Sequence, residues 1–186
     1  MALVIQFTGD GINRFRQLAK ELGDSTAANI YSKAINDTGR VAATATGRAL
    51  AGQSGVPMRT GAKAVKKQTR STPATLSFEI HVQGGPIRLK YFKARETRKG
   101  VSAAPRNQRR VFPGTFLKAG WWPKRVVKDN WNGQVFERAG AKFAVVKSDV
   151  VLPTEAVTGN TAQVFDQSKN RLDVRVTHYL KRLGGG

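Results

Sequence analysis

Two hydrophobic periods run along the chain, and each marks out its own region. Val4, Ile5 and Phe7 predict a short strand. Asp10 then has the character of a helix N-cap, and Ile12, Phe15, Leu18 and Leu22 follow at helical spacing until Gly23 stops the run. The next stretch, "DSTAANIYSKAINDTGRVAATATGRALAG", predicts a long helix capped by Asp24 or Ser25. Ala27, Tyr31, Ala34, Val41 and Ala45 recur along one side of it. Small residues dominate, so a neighbouring element can approach closely. Gly39 costs ~1 kcal/mol relative to Ala inside a helix, which predicts a bend or break between residues 36 and 39.

Beyond "GQSGVPMRTG" the period shortens to two. Leu76, Phe78, Ile80 and Val82 alternate with Ser77, Glu79, His81 and Gln83, the pattern of a half-buried strand. Gly84, Gly85 and Pro86 turn the chain, and Ile87, Leu89 and Tyr91 predict the return strand of a hairpin. "VFPGTFL" re-enters a sheet at an edge or a bulge, because Pro113 cannot donate to a central ladder. "NWNG" reads as a turn. "QVFER", Ala139 with Gly140, and "KFAVVKSDVVL" read as a second hairpin. Pro153 or Thr154 opens a helical region interrupted near Gly159, and Phe165, Leu172, Val176, Tyr179 and Leu183 mark its apolar face. The expected fold is α+β and a single domain over residues 1–186: N-terminal helices, a central antiparallel sheet and a C-terminal helix.

Charge changes this picture. The chain carries 32 Lys and Arg against 12 Asp and Glu, a formal net charge of +20 over 186 residues. Such a protein repels its own copies unless a polyanion or an acidic neighbour absorbs the field. With no cysteine, disulfides, thiolate chemistry and Cys-based zinc sites are excluded. The N-terminal "MALVIQFTGDG" lacks the basic leader and long apolar run of a signal peptide, and no apolar stretch approaches the ~18 residues of a membrane span. A soluble protein made in a cytoplasm is expected, without membrane contact.

Candidate chemistry is sparse. Each of the two histidines, His81 and His178, lacks a neighbouring nucleophile signature or metal spacing. "GDGINR" starts like a dinucleotide fingerprint but has Arg14 where the third glycine belongs. The acids are scattered. No catalytic residue, cofactor site or metal site is assigned, and no enzyme activity is expected.

The positive charge is concentrated instead. Residues 88–128 hold 13 of the 32 basic residues and one acid, Glu96. Gly100, Pro105, Pro113, Gly114, Gly120 and Pro123 interrupt any long regular element. The segment at about 93–125 reads as an extended basic arm. Its sparse apolar residues predict that it is mobile alone and ordered by a partner. The contact candidates are Lys93, Arg95, Arg98, Lys99, Arg106, Arg109, Arg110, Trp121, Trp122, Lys124 and Arg125. Guanidinium forks suit phosphate and carboxylate alike, and the two tryptophans can stack on bases or anchor on a protein. Composition leaves polyanion contact, protein contact and a passive loop all open.

The phrases "LKYFKARETRKGVSAAP" and "RRVFPGTFLKAG" resemble the minor tail protein Z family of tailed bacteriophages and prophages, also called tail completion proteins. The helix "YSKAINDTGRVAATATGRALAGQSGV" and the "VVLPTEAV" stretch are similar to the family's terminal regions. The resemblance implies a non-catalytic virion protein, assembled in the host bacterial cytoplasm. Such a protein completes the tail at its neck, or head-proximal, end, joins it to the head and supports DNA passage. It implies other tail and neck proteins as partners and copies of the chain itself in a ring, commonly of six; the basic arm adds the genome DNA end as a candidate contact. A tube through which DNA slides should not grip it along its whole length, so the arm is expected to clasp a protein first and DNA second. The alternative is a nucleic-acid-binding module that uses the arm as a phosphate clamp.

Overall fold

The computed structural model describes residues 1–6 and 10–184, so the expectation for Phe7 lies outside them. The fold is α+β. Strand β1 (Ala2–Gln6) leads to helix α1 (Asp10–Leu22) and then to α2 (Asp24–Ser54), the axis of the molecule. At 1.5 Å per residue α2 is about 46 Å long. Gly23, at φ +83°, holds the N-cap position; Asp24 and Ser25, expected there, lie in the first turn, where the charge of Asp24 complements the helix dipole. Asp10, likewise read as a cap, is the first residue of α1.

No break occurs at Gly39. Helix α2 runs through it because the position needs a missing side chain. A Cβ there would stand 2.4 Å from the Phe78 ring. The glycine lets strand β3 (Ser77–His81) lie against the helix, with Phe78, Ile80 and Val82 fully buried or nearly so. Packing thus overrides propensity. On the same helix Ala27, Tyr31, Ala34, Ile35, Ala42 and Leu50 face the core.

Helix α3 (Met58–Ala64) and strand β2 (Lys67–Thr69) follow α2, and one antiparallel sheet has the order β1-β3-β2. The expected hairpin after β3 does not form. Strand β4 (Pro86–Arg88) pairs with β13 (Lys147–Val151), and Leu89–Tyr91 is a 3-10 turn with Leu89 buried. The chain after Gly85 leaves one sheet for another, a long-range choice that alternation cannot encode.

Residues 93–125 do not form one extended arm. Their first part is a three-stranded antiparallel sheet of β5 (Arg95–Thr97), β6 (Gly100–Ala103) and β7 (Arg110–Pro113), with Val101 and Ala103 fully buried. The next part is β8 (Thr115–Phe116), β9 (Ala119–Gly120) and β10 (Arg125–Val126). β9 and β10 pair around the loop 121–124. The second expected hairpin does form, as β11 (Phe136–Ala139) on β12 (Lys142–Val145), and β8 joins its edge. Among the described residues five small antiparallel sheets therefore stand where one central sheet was expected.

Helices α4 (Leu152–Ala156), α5 (Gly159–Lys169) and α6 (Arg171–Gly184) close the chain. All three pack on α2, and Phe165, Leu172 and Val176 are buried, whereas Leu183 is exposed. Among the described residues no helix is long and apolar enough to cross a membrane.

Candidate functional site

The eleven contact candidates separate into structural cations and a surface group. Arg106 occupies a 3-10 turn (Pro105–Asn107) that follows β6. Its Nε donates to Glu155 at 2.7 Å and its Nη1 to Asp149 at 2.6 Å. Arg110 donates to the other Asp149 oxygen at 2.9 Å. The Arg106 hydrogen bond, opposed by burial and aided by the fields of both arginines, holds the Asp149 carboxyl below its ordinary range. Arg109 donates to the Ser102 carbonyl and hydroxyl at 3.3 and 3.1 Å and to the Lys93 carbonyl at 3.3 Å. Arg125 donates to Glu96, which also accepts the Leu117 N–H at 3.1 Å. The Glu96 side chain is 4% exposed, so this pair ties the base of the 121–124 loop to β5. All four are committed to partners within the chain, although Arg106, Arg109 and Arg110 are also exposed.

The others face solvent. Lys93, at φ +52°, and Arg95 are exposed beside β5. Arg98 and Lys99 form the two-residue tip between β5 and β6, where Thr97 pairs with Gly100. Trp121, Trp122 and Lys124 stand on the loop between β9 and β10, and Trp121 is 83% exposed.

The two tips meet over a cleft of about 450 Å³ lined by Arg98, Lys99, Lys118, Trp121, Arg138 and an aromatic cluster. In that cluster Trp131 contacts Phe136 edge-on at 5.0 Å between ring centroids, and Phe143 contacts Phe116 edge-on at 5.1 Å. The Arg138 guanidinium lies 5.9 Å from the Phe143 ring centre. Val126 and Val127 extend the apolar surface past the loop, at 60% and 64% exposure. Among the described residues Arg98, Lys99, Lys118 and Arg138 make no ion pair. The cleft is an apolar floor under an unneutralised positive rim.

Sequence reasoning found both tips but missed the floor. Trp131 was read only as part of a turn and Phe143 only as part of a hairpin. The missed signal is the recurrence of aromatic residues at 116, 131, 136 and 143, which become neighbours only when β8 joins β11.

The histidines serve local contacts. His81 Nε2 lies 2.8 Å from the Thr69 hydroxyl and 3.4 Å from Glu79, and His178 packs edge-on to Tyr179. Among the described residues no group of three His, Cys, Asp or Glu side chains could hold a metal ion. No protein-family model, curated protein or solved structure matches this chain.

Proposed function

We propose that this chain is a non-catalytic structural component of a tailed-phage particle. It completes the tail at the head-proximal end, in a ring of copies, and joins the tail to the head. The wording of its two central phrases supports that class. The observation that carries the mechanism is the exposed Trp121 and Trp122 beside the aromatic cleft. Water-facing aromatic patches of this kind mark interaction surfaces, and aromatic anchors dominate binding energy at protein interfaces.

The occupant is an acidic surface of a neighbouring tail or neck protein. Its carboxylates meet the rim of Arg98, Lys99, Lys118 and Arg138, and its apolar side chains enter the floor. Rim charges steer the encounter and choose the partner, while the buried aromatics supply the affinity. The clasp is therefore a preformed cleft with a projecting loop.

The test is the double substitution Trp121→Ala with Trp122→Ala in the assembling phage. Both side chains are exposed, so the isolated variant should keep its circular dichroism and melting point. Its incorporation into tails should fall at least about tenfold, matching a loss of ~1.4 kcal/mol or more. Incorporation at the unmodified level would overturn the docking surface. A particle reconstruction with this chain absent from the neck would overturn the assignment itself.

A further inference from the structure

A second basic surface shares no lining residue with the aromatic cleft. It is a groove of about 830 Å³ between α2 and the pair α5 and α6. Helical spacing builds it. Arg40 and Arg48 lie eight residues apart on α2, and Arg171 and Arg175 lie four apart at the start of α6. Each pair recurs on one helix face, about 12 Å and 6 Å apart along the respective axes. An adjoining hollow shares Asp37 and Arg40 with the groove and adds Lys33 and Arg70. Positive side chains thus follow α2 from Lys33 to Arg48, a track of about 22 Å.

The groove's acid is already spent. Asp37 accepts the Tyr179 hydroxyl at 2.6 Å and a bond from Arg40. Burial would raise its carboxyl, but those two bonds and the fields of Arg40 and Arg175 bring it below its ordinary range. It stays ionised, pairs directly with Arg40 and acts on Arg175 only through its field. Among the described residues Arg48, Arg171 and Arg175 make no ion pair. Arg48 and Arg171 are exposed.

We propose that this groove seats the phosphodiester backbone of a nucleic acid. An elongated track of spaced guanidiniums matches a chain of phosphates better than one small anion. The floor offers only Val41, Ala45 and Val164, with no aromatic side chain and no deep apolar pocket. An acidic polypeptide would need such anchors for affinity; a phosphate backbone needs charge. Tyr179 lines only the adjoining hollow, with its hydroxyl held by Asp37, so the groove itself offers no stacking ring and the contact there is sequence-independent. This inference stands apart from the aromatic cleft and survives if that reading fails.

The experiment titrates the full chain into a short fluorescently labelled DNA duplex, and into one of its single strands, from about 50 to about 200 mM salt. The double variant Arg48→Glu with Arg171→Glu should weaken binding at low salt at least about tenfold. It should also flatten the log–log salt slope by about 1.8, the loss of two phosphate contacts. Arg48→Gln with Arg171→Gln, a milder change at exposed positions, should move both readings the same way and guards against misfolding. Arg98→Glu with Lys99→Glu removes the same net charge at the aromatic cleft and should leave the slope near the unmodified value. Equal weakening by both charge reversals would reduce the effect to net charge and overturn the groove. So would the absence of DNA binding at low salt. Poly-glutamate binding as tightly as DNA, with the same sensitivity to Arg48 and Arg171, would assign the groove to an acidic protein instead.

Discussion

Arg106 bridges two carboxylates from different parts of the C-terminal half. Glu155 belongs to α4 and is 7% exposed, and Asp149 belongs to β13. A carboxylate that is nearly buried needs its cation, because removing one partner leaves the other charge without water or counter-ion. Gln53 shares the task by donating to Glu155 at 3.1 Å. The Arg106 side chain is 44% exposed, so solvent weakens the pair relative to a fully buried one. Arg106→Ala should therefore lower stability at neutral pH by about 1–3 kcal/mol, read by urea denaturation. The sign of its pH dependence follows from Asp149. Its carboxyl titrates lower in the fold than in the unfolded chain, where the value is about 3.9. The stabilisation it carries is complete above that pH and is lost as pH falls through the folded value. The gap between unmodified protein and variant should narrow below about pH 4. A gap that stays constant into acid would place the stabilisation elsewhere.

At the scale of elements, β6 decides whether residues 93–113 belong to the fold. Gly100 sits at φ +142°, where a Cβ would meet the Phe112 carbonyl oxygen at 2.1 Å. That close approach lets β6 pair with β7 on one side and β5 on the other while Val101 and Ala103 enter the core. Hydrogen exchange on the isolated chain should find the Val101 and Ala103 amides strongly protected and those of Trp121, Trp122 and Lys124 exchanging fast. Fast exchange in β6 would restore the picture of an arm ordered only by a partner. Helices α1, α2 and the C-terminal group were legible because each buries an apolar stripe at its own local period, whereas the short α3 (Met58–Ala64) was not read. Legible too was the β11–β12 hairpin, whose pairing is local and whose turn is written in Ala139 and Gly140. The β4–β13 pairing and the union of Phe116 with Phe143 were not legible, since both join strands distant in sequence. Charge was legible as composition but not as role. Nothing in the spacing of Arg106, Arg109 and Arg110 distinguishes them from Arg98 and Lys99, and only the placement of Asp149, Glu155 and the Ser102 carbonyl does. The groove arginines at 40, 48, 171 and 175 were not read, because they lie within segments read only for their apolar faces and converge only when α6 packs on α2.

The whole molecule carries +20, and among its acids Glu96, Asp149 and Glu155 are committed to internal partners. Six copies in a ring would carry about +120 before screening, so assembly depends on what neutralises that field. The same imbalance acts within one chain. Arg40, Arg48, Arg171 and Arg175 line one groove, and Lys33 and Arg70 line the hollow beside it, with Asp37 as the single, already paired acid of both. Repulsion among exposed cations is screened as the Debye length falls from about 10 Å at 0.1 M salt to about 3 Å at 1 M. The Arg125–Glu96 and Arg106–Glu155 pairs each include a buried carboxylate and are screened less. Salt should therefore relieve more repulsion than it removes attraction, and the melting temperature should rise from low to high sodium chloride. A bound polyanion should raise it further at low salt, because a ligand of the folded state stabilises by mass action. That extra rise should shrink as salt releases the polyanion. Differential scanning calorimetry over a salt series, with and without heparin, measures both effects. A melting temperature that falls with salt would mean that the ion pairs, rather than the unneutralised cations, dominate the electrostatics of the fold.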